Sequence, residues 1–212
     1  MKFVSLPRSF YLPSAEVVAP KLLGHWLVRR TQKGLVGGRI VETEAYLIGD
    51  PACHGFVGET ARNRVMYGPP GFAYVYLIYG FYFCFNTVCL PKGAAEAVLV
   101  RAVEAEIGED LMQANRPVSS AIQLTNGPGK LCDAMAITRE LDGCDLCSTE
   151  SPIFIARNEE LESFLKERGP TVTATRIGLT KAADLPLRFY LDGSKFVSKR
   201  MPQSRAKKRG HR

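Results

Sequence analysis

The sequence predicts an α+β fold with a largely antiparallel sheet. Three observations carry this. Short strand-like runs are joined by Gly- and Pro-containing turns and mixed with a few helical stretches. With 212 residues, 46% of them hydrophobic, the chain can bury one sizeable core. No internal repeat is present.

In order along the chain, residues 1–13 read as an extended lead-in. Ser14 can cap a short helix running through Leu23, with Pro20 an awkward occupant and Gly24 ending it. A strand is expected at Trp26–Thr31, a turn at Gly37-Gly38 and a second strand at Arg39–Tyr46. Leu47–Gly71 is rich in Gly, Pro and polar residues and reads as a long functional loop. Strands at Phe72–Ile78 and Phe81–Leu90 are joined at Tyr79-Gly80, and another spans Ala97–Val103. Helices are expected at Glu104–Asn115, Lys130–Ile137 and Asn158–Arg168, and short strands around Arg176–Leu179 and Leu187–Leu191 close the fold. No charge occurs from Val65 to Pro91, a run long enough for a membrane span. Pro69-Pro70-Gly71, the central Gly80 and the scattered tyrosines argue instead for two buried strands.

Lys and Arg total 28 against 21 Asp and Glu, a net charge of +7. All of that excess lies in Lys199–Arg212, which carries seven basic residues and no acid, so residues 1–198 are formally neutral. The chain is therefore divided into a folded body, 1–198, and a basic, disordered tail, 199–212, for which non-specific nucleic-acid contact is a second reading. Pro7, Arg8 and Pro13 interrupt any signal-peptide core, so a cytoplasmic location with reduced thiols is expected. Cys144-x-x-Cys147 stands alone, without a second pair or a nearby histidine, and is not read as a zinc site.

The segment Arg39-Ile-Val-Glu-Thr-Glu-Ala-Tyr46 carries the most chemistry. Strand alternation puts Ile40, Glu42, Glu44 and Tyr46 on one side, with the two carboxylates roughly 6.6 Å apart along the backbone. Such a pair suits general-base work, and equally a solvated edge strand. Arg101 lies in the apolar run Ala97–Val103, where a buried guanidinium needs a carboxylate. Glu42 and Glu44 are the best-placed partners, either as a structural ion pair or as a base held ionised beside an arginine that orients a water.

Eight of the chain's Phe, Tyr and Trp residues lie between Phe72 and Phe85. Tyr74 and Tyr76 share a face, and facing tyrosines form a slot for a planar, even cationic, ring. Phe83 and Phe85 read as core. Tyr79, at a turn, is expected to be exposed and to suit insertion between stacked bases. His54 follows Tyr46 closely enough to line the same pocket. Asn126-Gly-Pro-Gly-Lys130 is either a capped turn or a phosphate contact through Gly127, Gly129 and Lys130, and it fails the Walker pattern.

These residues resemble the alkyladenine (3-methyladenine) DNA glycosylase family. The motifs run in order over nearly the whole chain except the tail: Leu22-Leu-Gly24, Arg39–Tyr46, Thr60-Ala-Arg-Asn63, Pro70–Gly80, Cys84-Phe-Asn86, Val98-Leu-Val-Arg101, Gly127–Cys132 and Pro186–Tyr190. The resemblance implies a single domain with a curved sheet, flanking helices and a protruding hairpin. It implies hydrolysis of the N-glycosidic bond of a damaged purine flipped out of duplex DNA, without a lyase step, metal or cofactor. Glu44 would be the general base, with Arg101 and the Ile177 carbonyl holding the water and Glu42 in support. Tyr46, His54 and Tyr76 would enclose the base, Asn86 would disfavour guanine, and Tyr79, with Phe81 beside it, would enter the DNA. Phe81 replaces the methionine of mammalian members, and the Tyr46–His54 segment is one residue shorter. The implied partner is damaged double-stranded DNA, with no membrane, a monomer and, in a bacterium, association with the nucleoid. A non-catalytic damage binder and an RNA-binding protein relying on the tail are the competing readings.

Overall fold

The computed structural model describes residues 2–200. Helix α1 (Ala15–Leu22) precedes β1 (Trp26–Thr31), which turns through Gln32 and Lys33 into β2 (Gly34–Tyr46). Strands β3 (Ala73–Ile78) and β4 (Tyr82–Cys89) form a hairpin, and β5 (Glu96–Ile107) leads into α2 (Glu109–Asn115). Short helices α3 (Ile122–Thr125) and α4 (Pro128–Ala134) precede β6 (Ile153–Ala156), α5 (Leu161–Arg168), β7 (Thr171–Ala174) and β8 (Arg188–Leu191). The strands make one 8-stranded sheet in the order β3-β4-β5-β2-β1-β6, with β8 paired to β2 and β7 to β8. These pairings are all antiparallel, so the α+β class read from the sequence holds.

Strand β2 is the axis of the sheet. It pairs with β5 along most of its length, with β1 as far as Arg39, and with β8 from Glu42 to Glu44. Alternation then sorts the two faces. On β3, Ala73 and Val75 join the main core, where α1 packs, whereas Tyr74 and Tyr76 join a second cluster on the opposite face. On β5, Val98 and Val100 go to the first face and Ala97 and Leu99 to the second.

The alternation breaks once on β2. Its register with β5 shifts between Ile40 and Glu42 and again between Glu42 and Thr43, leaving Val41 and Arg101 as the extra residues on their respective strands. Ile40 and Val41 both enter the main core. Ile40 therefore does not share a side with Glu42, a correction to the simple alternation.

Other elements differ from the sequence reading. Gly37-Gly38 is not a turn but the interior of β2. A Cβ on Gly37 would lie 2.6 Å from the Leu27 carbonyl oxygen, and one on Gly38 1.9 Å from that of Glu104. The glycines permit close strand approach rather than a reversal. Strand β5 runs on to Ile107, opposite Gly37, so the first residues of the expected helix at Glu104–Asn115 are strand. Residues 176–179 are irregular, because Arg176 and Ile177 bond to side chains instead of a ladder, and β7 lies upstream at Thr171–Ala174. Strand β6 and helix α3 were not anticipated. The charge-free run supplies β3 and β4, and no described helix is long and apolar enough to cross a membrane.

Of the basic segment, Lys199 and Arg200 are bonded to the body: the Lys199 carbonyl accepts from Arg188, and Arg200 Nη2 donates to the Ser194 carbonyl at 2.6 Å. The rest of the segment read as a tail, 201–212, lies outside the described residues.

The Gly38 contact is with backbone, so Gly38→Ala must push β2 and β5 apart. It should lower stability by about 1–3 kcal/mol, measured by denaturant unfolding.

Candidate active site

The second face of the sheet holds a buried carboxylate cluster. Glu44 has no exposed surface. Its Oε1 accepts from the Ile177 backbone N–H at 2.8 Å and lies 3.2 Å from Arg101 Nη1. Its Oε2 accepts from the Tyr46 hydroxyl at 2.9 Å. All three neighbours are donors, the surroundings an ionised carboxylate accepts. A carboxylate offers about four acceptor positions, so these three neighbours leave one unfilled.

Glu42, equally buried, is held more completely. Its Oε1 accepts from Arg101 Nε at 3.0 Å and from the Ser198 hydroxyl at 2.9 Å, and Arg188 Nε lies 3.2 Å away. Its Oε2 accepts from the Ser198 N–H at 2.7 Å. Arg101 thus bridges both glutamates. Burial works against its charge, but Glu44 and then Glu42 outweigh that, and its pKa lies above the usual arginine value. Burial lowers the Arg188 pKa, with Glu42 opposing.

Above the cluster opens a cleft of about 310 Å³, lined among others by Tyr46, His54, Tyr76, Arg101 and Ile177. A smaller recess of about 20 Å³ adjoins it and adds Met66, Tyr74 and Asn86 to the same tyrosines and histidine. It has room for little more than a water-sized group. His54 meets the Tyr76 ring edge at 4.4 Å between centroids, and its Nδ1 shares a 2.8 Å hydrogen bond with the Tyr74 hydroxyl. Tyr74 and Tyr76 are 5.3 Å apart. The Asn86 amide donates to the Tyr74 carbonyl at 3.0 Å, which fixes its orientation.

The aromatic lining is uncharged at neutral pH. Burial, then Glu44, raises the Tyr46 pKa well above its usual value; burial, then Cys84, does the same for Tyr76. Burial pushes Tyr74 up to about 12. The His54 pKa is lowered by burial and, secondarily, by the Arg62 charge.

Irregular segments supply much of this site, and polar side chains hold them in place. Arg176 donates to both carboxylate oxygens of buried Asp50, through Nη1 to Oδ2 and through Nη2 to Oδ1 at 3.1 Å, and to the Ala45 carbonyl at 3.0 Å. This ties the segment carrying Ile177 to β2 and to the loop carrying His54. Buried Asn63 donates to the His54 and Gly58 carbonyls, both at 2.8 Å, and accepts from the Thr60 N–H at 2.6 Å. The Thr60-Ala-Arg-Asn63 motif is therefore the brace behind His54.

The hairpin tip, Tyr79-Gly80-Phe81, stands in solvent, with Tyr79 73% and Phe81 66% exposed. Tyr79 has φ 55°, which costs a non-glycine residue on the order of 1 kcal/mol or more. Tyr82 supports the tip from below, meeting Phe81 edge-on at 4.5 Å. A Cβ on Gly129 would come within 3.0 Å of the Tyr82 ring, so Gly129 seats the hairpin against α4. Lys130 Nζ turns back to Asn126 Oδ1 at 2.8 Å.

The structure thus gathers Glu42, Glu44, Tyr46, His54, Tyr76, Asn86, Arg101 and Ile177 around one cleft and its floor, while Tyr79 borders the cleft mouth. The contact made by Ile177 is through its N–H. Sequence reasoning missed Arg62, Arg176, Arg188, Asp50 and Ser198. Arg188 sits in an apolar strand as Arg101 does, and the same reasoning would have found it.

A family model described as methylpurine-DNA glycosylase (MPG) matches residues 9–195. A protein of Methanoculleus marisnigri is 50% identical over 197 residues, covering 93% of this chain and 100% of the relative. One from Carboxydothermus hydrogenoformans is 45% identical over 92% of this chain and 99% of its own. One from Rhodopseudomonas palustris is 46% identical over 91% and 90%. Each carries the name "Putative 3-methyladenine DNA glycosylase".

Two outcomes follow from the site geometry. Arg101→Met leaves two buried carboxylates without their shared partner and should cost about 3–5 kcal/mol of stability at pH 7, read by chemical denaturation. Arg62→Gln removes a charge that opposes His54 protonation, so the His54 titration midpoint, followed by NMR, should move upward.

Proposed function

The chain belongs to the methylpurine-DNA glycosylase family, and from that premise we propose that it flips alkylated or deaminated purines out of duplex DNA and hydrolyses their N-glycosidic bond with a water activated by Glu44. The observation that carries this reading is the partly filled acceptor shell of Glu44, directly beneath an aromatic cleft.

The chemistry follows from the surroundings. The attacking water takes the remaining acceptor position on Glu44 once Tyr46, Arg101 and Ile177, which line the cleft over this buried carboxylate, make way for it. Arg101 and the Ile177 carbonyl complete its orientation. As the bond to the purine lengthens, positive charge develops on the sugar, and the adjacent carboxylate stabilises it and takes the water's proton. The purine leaves with the bonding electron pair, a cationic base as a neutral purine and a neutral base as an anion that solvent protonates. Tyr46, Tyr76 and His54 hold the extruded base by stacking, which offsets part of the unstacking cost. Asn86, with its amide oriented by Tyr74, disfavours the exocyclic amino group of guanine. Tyr79, with Phe81 beside it, fills the vacated position in the duplex. The phosphate contact is assigned to the start of α4, at Gly127, Gly129 and Lys130.

Among the described residues no lysine lines the cleft or the recess, which supports hydrolysis without Schiff-base chemistry and strand cleavage. In this reading damaged duplex DNA is the partner and the protein acts as a monomer, associated with the nucleoid if its source is a bacterium.

The test is release of free base from duplexes carrying hypoxanthine or ethenoadenine and from alkylated DNA. Wild type should release purine, and Glu44→Gln should bind the damaged duplex while its release falls at least about 100-fold. Equal release by both would move the base to another residue, Glu42 first. Tight binding without release by either would make the protein a damage binder. Tyr79→Ala should weaken binding to damaged duplex about tenfold through lost stacking, measured by fluorescence anisotropy.

A further inference from the structure

Two of the tyrosines that line the cleft, Tyr46 and Tyr76, carry a guanidinium over the ring. Arg176 Cζ lies 4.7 Å from the Tyr46 centroid, and Arg62 Cζ lies 5.8 Å from the Tyr76 centroid. Neither arginine lines the cleft or the recess, but each guanidinium lies against a ring that does.

The two arginines differ in what neutralises them. Arg176 is bonded to both oxygens of Asp50, so the pair projects little net charge into the cleft. Arg62 has no carboxylate within salt-bridge distance among the described residues. Its Nη2 donates to the Leu77 carbonyl at 3.1 Å, which holds it beside the hairpin and over Tyr76. On the floor, Glu42 and Glu44 are matched by Arg101 and Arg188. Among the described residues at this site, the charge of Arg62 is left unmatched.

A ring that already engages a cation on one face offers less negative potential on the other. A purine methylated on a ring nitrogen arrives as a cation, whereas a deaminated or etheno purine arrives neutral. We infer that Arg62 is a specificity-determining residue, which biases the cleft toward neutral damaged purines and against cationic ones. This rests on the glycosylase reading and adds to it the charge class of the substrate. It also qualifies the sequence expectation of a slot suited to a cationic ring.

The test compares single-turnover release of hypoxanthine with release of 3-methyladenine from duplexes of one sequence, by wild type, Arg62→Gln and Arg62→Lys. Arg62→Gln should raise the 3-methyladenine to hypoxanthine rate ratio about threefold, the size of an exposed cation–π contribution. Arg62→Lys, which keeps the charge, should leave the ratio at the wild-type value. Both substrates are read on one preparation, so a loss of folding or of general DNA affinity cancels in the ratio. An unchanged ratio in Arg62→Gln, or an equal shift in both variants, would overturn the inference while leaving the glycosylase reading intact. No release of either base by wild type would overturn the reading itself, and the inference with it.

Discussion

The sharing of Arg101 between Glu42 and Glu44 is the interaction on which the rest of this structure depends. Two carboxylates and two guanidinium groups, those of Arg101 and Arg188, are removed from water in the middle of a sheet. Burying such charges costs several kcal/mol per ion unless partners compensate, and mutual attraction repays this only with close geometry. The geometry comes from the backbone. Paired irregularities at Val41 and Arg101 let Arg101 face both glutamates from the neighbouring strand. Ser198, arriving from the C-terminal side, completes the shell of Glu42. Glu42 accepts three hydrogen bonds and Glu44 two, and in the proposed mechanism that difference separates a supporting carboxylate from a reactive one.

Around this centre the site is assembled from segments without regular structure. His54 belongs to the long loop after β2, and Ile177 to the irregular stretch before β8. Such segments gain little from backbone ladders and would be mobile without other restraints. Here Arg176, Asp50 and Asn63 supply those restraints as buried hydrogen bonds to main-chain and side-chain acceptors. The loops are therefore fastened to the sheet and to one another by side-chain hydrogen bonds. The hairpin is treated differently: its base is seated on Gly129, while its tip is left exposed and strained at Tyr79.

What the sequence revealed followed from local rules. Glu42, Glu44 and Tyr46 were legible because strand alternation needs only neighbours, and Arg101 because a charge in an apolar strand demands a partner. The hairpin was legible from its aromatic run around Tyr79-Gly80. Contacts between distant segments were not. Asp50 and Arg176 are 126 positions apart, and neither lies in a patterned element. Ser198 is the last residue of the expected body, and nothing local marks its bond to Glu42 across 156 positions. Gly37-Gly38 misled because glycine serves both turns and close strand approach, and only the neighbouring backbone of Leu27 and Glu104 decides which. Arg176–Leu179 read as a strand because its composition fits one, while its hydrogen bonds go to Asp50 and Glu44.

A crystal structure of Glu44→Gln bound to a hypoxanthine-containing duplex tests whether this cleft is the catalytic site. The expected result has the base extruded between Tyr46 and the Tyr76–His54 edge. A water should lie between residue 44 and the sugar C1′, and the Tyr79 ring should occupy the vacated stack. A hypoxanthine still stacked in the duplex, or bound away from residue 44, would contradict the assignment of this cleft as the catalytic site.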